Sequence, residues 1–358
     1  MSNDKYIGLD VHRSSVVTAV HNHQGKCMME SIIETKAQTI RDFINSISGT
    51  VRVVFEEGTQ AAWLYDLIHP LVAEVVVCDP RANNSTLRNK SDRVDANKLA
   101  QMLRMGLLRA VYHGQTGIRA LKELAHGYES LVSDMTRVMN RIKAIYRARG
   151  VLCSGTSVYR SCHREQWLSQ LQEAGVRRRA EYLYRELDTL RQLRREARRD
   201  MVREAQRHRA YKILRQVPGL GPVRIAQIIA GVGTPYRFRT KRQFWAYCGL
   251  AVVTRSSAEY KFIGGKVRKR HRAIATRGLN DNHNRRMKEV FKGAAVDAIK
   301  RGIFKQYYEG LVGKGMRAEI ARLEIARKIG AIVLAVWKRG EDFDQDRVIG
   351  QRAQGQGA

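Results

Sequence analysis

Apolar and polar positions alternate in short runs through the first part of the chain, and two of those runs end on an acid. Lys5-Tyr6-Ile7-Gly8-Leu9-Asp10-Val11 reads as a strand closing on a carboxylate. The polar turn His12-Arg13-Ser14-Ser15 leads to a second run, Val16 to Val20, and a turn at Gln24-Gly25 to a third, Cys27 to Ile33, so an antiparallel meander is expected. Thr39 to Ile47 has helical spacing, and Val51-Arg52-Val53-Val54-Phe55-Glu56 is a short strand that again finishes on an acid. Ala61 to Leu71 reads as helix, Val72 to Cys78 as a buried strand, and Asp95 to Met105 as helix. The order βββαβαβα predicts a mixed sheet flanked by helices.

Beyond residue 115 the period changes. Leu121, Leu124, Tyr128, Leu131, Met135, Val138, Ile142 and Ile145 recur at spacings of three and four, the stripe of a coiled coil. A second helix, Arg178 to Arg209, carries Leu183, Leu187, Leu190, Ala197 and Met201, with Arg194-Arg195 and Arg198-Arg199 outside the stripe. The two helices pair within one chain or between protomers, and the Ser- and Gly-containing segment Cys153 to His163 is the expected turn between them. From Leu214 a small helical domain is expected, in which Pro218-Gly219-Leu220-Gly221-Pro222 joins two helices as a hairpin. Helices at Asn284 to Ile299 and Ala318 to Trp337 close it, and the tail after Asp346 reads as disordered. Gly310 to Lys314 lacks the glycine spacing and the hydroxyl residue of a phosphate loop and is set aside.

Charge sharpens this picture. Lys and Arg number 65 against 34 Asp and Glu, a net charge of +31 over 358 residues. Up to residue 100 there are 11 basic and 12 acidic side chains, leaving 54 and 22 beyond it. A nearly neutral first domain and a strongly basic remainder suggest chemistry in one and polyanion binding in the other, which argues against an ordinary metabolic enzyme. Nucleic acid is the expected polyanion. A hydrophobic content of 44% excludes a disordered basic tail. No apolar run is long enough to span a bilayer and the start resembles no signal peptide, so a cytoplasmic location is expected with no membrane partner. Cys27, Cys78, Cys153, Cys162 and Cys248 contain no Cys-x-x-Cys pair and read as isolated buried thiols.

Four acids stand out by position. Asp10 and Glu56 end strands, and Asp92 and Asp95, three apart at a helix start, project from one face. Carboxylates converging at a sheet edge offer the hard oxygen ligands that hold one or two magnesium ions for phosphodiester chemistry. Glu57, beside Glu56, stays an alternative. In the basic part, Gly219 and Gly221 suit a close backbone approach to phosphate, and Arg224, Arg237, Arg239, Lys241 and Arg242 follow at once. Gly264 to Arg272 reads as a flexible basic loop whose Lys266, Arg268, Lys269, Arg270 and Arg272 suit a phosphate backbone. Ser256 and Ser257 follow an arginine in the same region, where phosphate contact or loop filler is the plain reading.

Several motifs in this order carry a resemblance: Tyr6-Ile7-Gly8-Leu9-Asp10, Phe55-Glu56-Glu57-Gly58-Thr59, Asn89 to Ala96 with Leu99-Ala100, Pro218 to Pro222, Phe244-Trp245-Ala246-Tyr247-Cys248-Gly249-Leu250, and Phe343-Asp344. Together they resemble the IS110 family of insertion-sequence transposases, which includes pilin-gene DNA invertases. The resemblance implies an α/β RuvC-like, RNase H-fold domain over residues 1–110 and coiled-coil helices over 115–210. A mostly α transposase domain with a helix-hairpin-helix-like segment would follow over 211–342, and a tail over 343–358. It implies a magnesium site of Asp10, Glu56, Asp92 and Asp95, and a serine that attacks DNA and forms a phosphoserine link, by position Ser257 with Ser256 as the neighbouring candidate. It also implies DNA as partner, assembly of several protomers, and a structured guide RNA encoded by the element. Two other functions fit the residues: a Holliday-junction-type nuclease using the acids alone, and a non-catalytic nucleic-acid-binding scaffold.

Overall fold

A computed structural model describes residues 3–80, 91–111, 118–257, 260–270, 274–302 and 304–344. The chain divides into two compact units, Met1–Gly114 and Gln115–Ala358. Arg272 and the tail after Asp346 lie outside the described residues.

The first unit is a mixed α/β sheet domain consistent with an RNase H-like fold. Strands β1 (Asp4–Val11), β2 (Ser15–Asn22) and β3 (Cys27–Glu34) form the expected meander, followed by α1 (Ala37–Ser46), β4 (Thr50–Glu56), α2 (Ala61–Ile68), β5 (Glu74–Cys78) and α3 (Asp92–Arg104). The sheet order is β3-β2-β1-β4-β5, with β1 antiparallel to β2 and parallel to β4. Ile7, Leu9, Val53 and Phe55 are buried from the strands, and Ile40, Ile44, Leu64 and Ile68 close over them from α1 and α2. Leaving the central strands buried on both faces is what makes their sequences read as continuous apolar runs.

The second unit is mostly helical. Helices α4 (Arg119–Arg147) and α6 (Ala174–Gln206) run antiparallel, since the Tyr146 and Tyr184 hydroxyls meet at 3.1 Å near one end while Leu121 and Ala125 share a core with Met201 and Ala205 near the other. Short α5 (Arg164–Leu168) and two single-turn segments fill the connection and bury Cys153, Val158 and Tyr159. Then come α7 (Arg209–Leu214), α8 (Pro222–Val232) and α9 (Lys241–Tyr247). After them the helical expectation fails: β6 (Val252–Ser257) pairs antiparallel with β9 (Ile274–Leu279), and β7 (Tyr260–Ile263) with β8 (Lys266–Lys269). The basic segment expected as a flexible loop is therefore largely a β-hairpin turning at Gly264 and Gly265. Helices α10 (Arg285–Lys300), α11 (Lys305–Gly313) and α12 (Ala318–Arg339) complete the unit.

The Nε1–H of Trp245 donates to the Arg327 carbonyl at 2.9 Å, and Arg327 Nε donates to the Leu250 carbonyl at 2.6 Å, which ties α9 and the connection that precedes β6 to α12. Of the cysteines, Cys78, Cys153 and Cys248 are buried, but Cys27 and Cys162 are exposed, contrary to the expectation for all five. Cys27 starts the edge strand β3, whose first residues project beyond the core. Among the described residues no helix is long and apolar enough to cross a membrane.

Candidate active site

Parallel pairing brings the two strand-end acids together. Leu9 of β1 lies opposite Phe55 of β4, so the next residues, Asp10 and Glu56, leave the same edge of the sheet side by side. The third element is α3, capped by the Ser91 side chain, which accepts from the Val94 N–H at 3.4 Å. Asp92 and Asp95 sit in its first turn, where the helix dipole favours negative charge.

Gly8 sets the approach of α3 to β1. A methyl group at Gly8 would overlap the Ala96 carbonyl, and the buried small residues Ala96 and Ala100 let the helix backbone rest on the strand. Gly8 is two residues from Asp10, and Ala96 adjoins Asp95. Gly8→Ala is therefore expected to push α3 outward, costing roughly 1–3 kcal/mol as overpacking does. Both the melting temperature and divalent-ion binding should fall; a variant that binds metal like the parent would show that this contact does not position the acids.

His12, two residues beyond Asp10, completes the cluster. Its Nε2 lies 3.2 Å from a carboxylate oxygen of Asp10 and 3.2 Å from one of Asp92. One ligand atom from each of these three residues fits within 4.8 Å of the others, the spacing of donors around a shared cation. Partial burial raises the Asp10 pKa above the ordinary carboxylate value; the imidazole opposes this, and repulsion from Asp92 and Asp95 adds to it. Glu56 is raised in the same way, by burial first and then by Asp10 and Asp95, with Lys98 opposing. A cavity of about 350 Å³ opens here, lined by Asp10, His12, Arg13, Glu56, Glu57 and Thr59 among others.

Both glutamates thus line the cavity. The ladder ends at Glu56, which pairs with Cys78, and the Glu57 N–H donates to the Cys78 carbonyl at 2.9 Å. In the sequence His12 reads only as part of the polar turn after β1. The signal was present in the i, i+2 spacing of Asp10-Val11-His12, which keeps both side chains on one face of an extended strand.

In the second unit Ser256 and Ser257 are the last residues of β6, paired with Ala275 and Ile274. The basic residues fall into two groups. Arg224 is ion-paired with Asp297, whose carboxyl it holds below the usual range, and donates to the Gly219 carbonyl at 3.0 Å. Arg237 donates to the Val232 carbonyl at 3.1 Å and lies 5.1 Å and 4.9 Å from the ring centres of Phe238 and Tyr247. Both are held by the fold. Gly219, at φ +81°, packs against α10, and a methyl group there would overlap the Ala294 carbonyl; Gly221 has open space around it. By contrast Arg239, Lys241, Arg242, Lys266, Arg268, Lys269 and Arg270 are exposed. Along α6, Arg195, Arg198, Arg199 and Arg203 line a cavity of about 770 Å³, and three of these belong to the arginine pairs that the sequence places outside the apolar stripe.

Comparison with known proteins bears on both units. A family model described as "Transposase" matches residues 7–147, and one described as "Transposase IS116/IS110/IS902 family" matches residues 211–279. The chain is also 24% identical over 263 residues to y4qE of Sinorhizobium fredii (strain NBRC 101917 / NGR234), a protein named as a transposase. That alignment covers 72% of this chain and 65% of the relative.

Proposed function

Because the chain belongs to the IS116/IS110/IS902 family of transposases, we propose that it cuts and rejoins DNA to excise and insert a mobile element. The observation that carries this reading is the convergence of Asp10, Glu56 and the first turn of α3, with His12 bridging Asp10 and Asp92, in the region without surplus positive charge. Asp10, Glu56, Asp92 and Asp95 are the proposed ligands of magnesium or a similar ion, and the donor set suits it: carboxylates whose mutual repulsion a cation relieves. Bound there, such an ion lowers the cost of forming an attacking oxygen and of releasing the leaving one. The carboxylates hold and orient, and Lys98 offsets part of the charge at Glu56.

Ser257 is the proposed nucleophile, a role that rests on its position in the family resemblance. The helical pair α4 and α6 is proposed as the coiled coil, within residues 115–210, through which protomers assemble, and the Gly219 to Pro222 turn as the helix-hairpin-helix-like element of a domain over 211–342. A structured guide RNA is a proposed partner beside DNA.

On a duplex carrying the ends of its own element, the protein should cleave strands in magnesium and lose that activity in EDTA; cleavage undiminished by EDTA overturns the metal reading. His12 refines it. Imidazole suits transition ions better than magnesium, so calorimetric titration of His12→Asn should show cobalt(II) binding weakened more than magnesium binding. Equal weakening would leave His12 as an orienting group for Asp10 and Asp92.

A further inference from the structure

We infer that the hairpin of β7 and β8 is a base-stacking ribbon: its aromatic face takes the unpaired bases of a nucleic acid while its other face holds the phosphates. The inference deepens the proposed nucleic-acid function and rests on it. Direct register fixes which residues share a face: Phe262 lies opposite Val267 and Tyr260 opposite Lys269, and alternation puts these four together. Lys261 opposite Arg268 and Ile263 opposite Lys266 form the other side.

Among the described residues nothing covers either face. Tyr260 is 59% exposed, Phe262 76% and Val267 58%, and every described residue of the ribbon is exposed. An isolated two-stranded hairpin is marginal in water, so a ribbon that leaves its largest apolar groups in solvent is built to be finished by something else. The charges say what. No acid occurs from Tyr260 to Arg270, which holds five cations. Lys261 faces Arg268 directly across the strands, and like charges opposite each other destabilise a pair. A polyanion removes that repulsion, whereas a second copy of the same basic ribbon would double it. Aromatic rings beside cations are the usual equipment for single-stranded nucleic acid, since every base offers a face to stack on.

The test uses the full chain in EDTA, with fluorescence anisotropy on a labelled single-stranded oligothymidylate of about 20 nucleotides and on a blunt duplex of similar length. The Tyr260→Ala, Phe262→Ala double variant should bind the single strand roughly 5- to 100-fold more weakly, with duplex affinity little changed and the salt slope preserved. Lys261→Gln with Arg268→Gln should instead flatten the single-strand log–log salt slope by about 0.7 per cation removed. All four side chains are exposed, so circular dichroism and melting temperature should match the parent.

Unchanged single-strand affinity in the aromatic variant overturns the inference, as does an equal loss on both probes. So does a fall in oligomeric state on sedimentation, which would assign the face to another protomer. A parent chain that binds neither probe overturns the nucleic-acid reading itself.

Discussion

Asp10→Asn is expected to melt higher than the parent in EDTA, to gain no further stability from magnesium, and to lose strand cleavage to background. Burial and the neighbouring Asp92 and Asp95 raise the Asp10 pKa from 3.8, so over a range of pH the folded chain keeps a proton that the unfolded chain has released. Stability contributed at this position therefore falls as pH rises above the ordinary carboxylate value, and at neutral pH the ionised group is a net cost. Glu56 behaves alike from 4.5, for the same first cause. Asparagine keeps the shape and removes the charge.

Each kcal/mol recovered should raise the melting temperature by about 2–8 °C for units of this size. A saturating ion at a hundred times its dissociation constant should add about 2.7 kcal/mol to the parent. Differential scanning calorimetry of both chains in EDTA and in magnesium, at pH 5 and pH 7 or thereabouts, separates the terms. Comparing variant with parent at each pH cancels the changing repulsion among the other charges of a chain at +31. A variant that melts lower in EDTA, or gains as much from magnesium as the parent, would show that Asp10 serves the fold and not a metal.

The legible parts of this molecule were those where a local pattern decides the structure. Alternation and short apolar runs marked β1 to β5, and the run-terminal positions of Asp10 and Glu56 implied a shared edge once β1 and β4 were read as strands. The stripe from Leu121 to Ile145 marked α4 for the same reason, being periodic and buried at Leu121, Val138, Ile142 and Ile145. Strands β7 and β8 were hidden because their residues are exposed on both faces, so no inside–outside alternation exists to read. Helix α11 was hidden similarly, having no fully buried residue. Long-range partners were the other blind spot. Arg224 looked like a free cation until α10 brought Asp297 to it, and the need for glycine at position 219 comes from the same helix. His12 was overlooked because its second contact, Asp92, belongs to a helix distant in sequence.

Ser257→Ala is expected to abolish a covalent protein–DNA adduct and to lower strand exchange by about four or more orders of magnitude, as loss of a covalent nucleophile does. In the proposed step the serine oxygen bonds to phosphorus, its proton passes to a base or to solvent, and the bond from phosphorus to one sugar oxygen breaks. That oxygen leaves with a proton, nothing is oxidised or reduced, and the phosphoserine ester keeps the bond energy needed to rejoin strands. Denaturing electrophoresis of protein trapped on labelled element ends reads the adduct directly. Ser256→Ala should retain it, because the register places the two serines one step apart on β6, opposite Ala275 and Ile274. An adduct that survives in Ser257→Ala and vanishes in Ser256→Ala moves the nucleophile by that one step. The magnesium-dependent gain in melting temperature should be the same in both serine variants as in the parent, so a lost adduct with that gain intact cannot be blamed on a damaged acid site. Cleavage that needs magnesium yet never yields an adduct, even in the parent, would assign the chemistry to the acids alone, as in a junction-resolving nuclease. Nucleic-acid binding without cleavage or adduct under any metal would leave a scaffold.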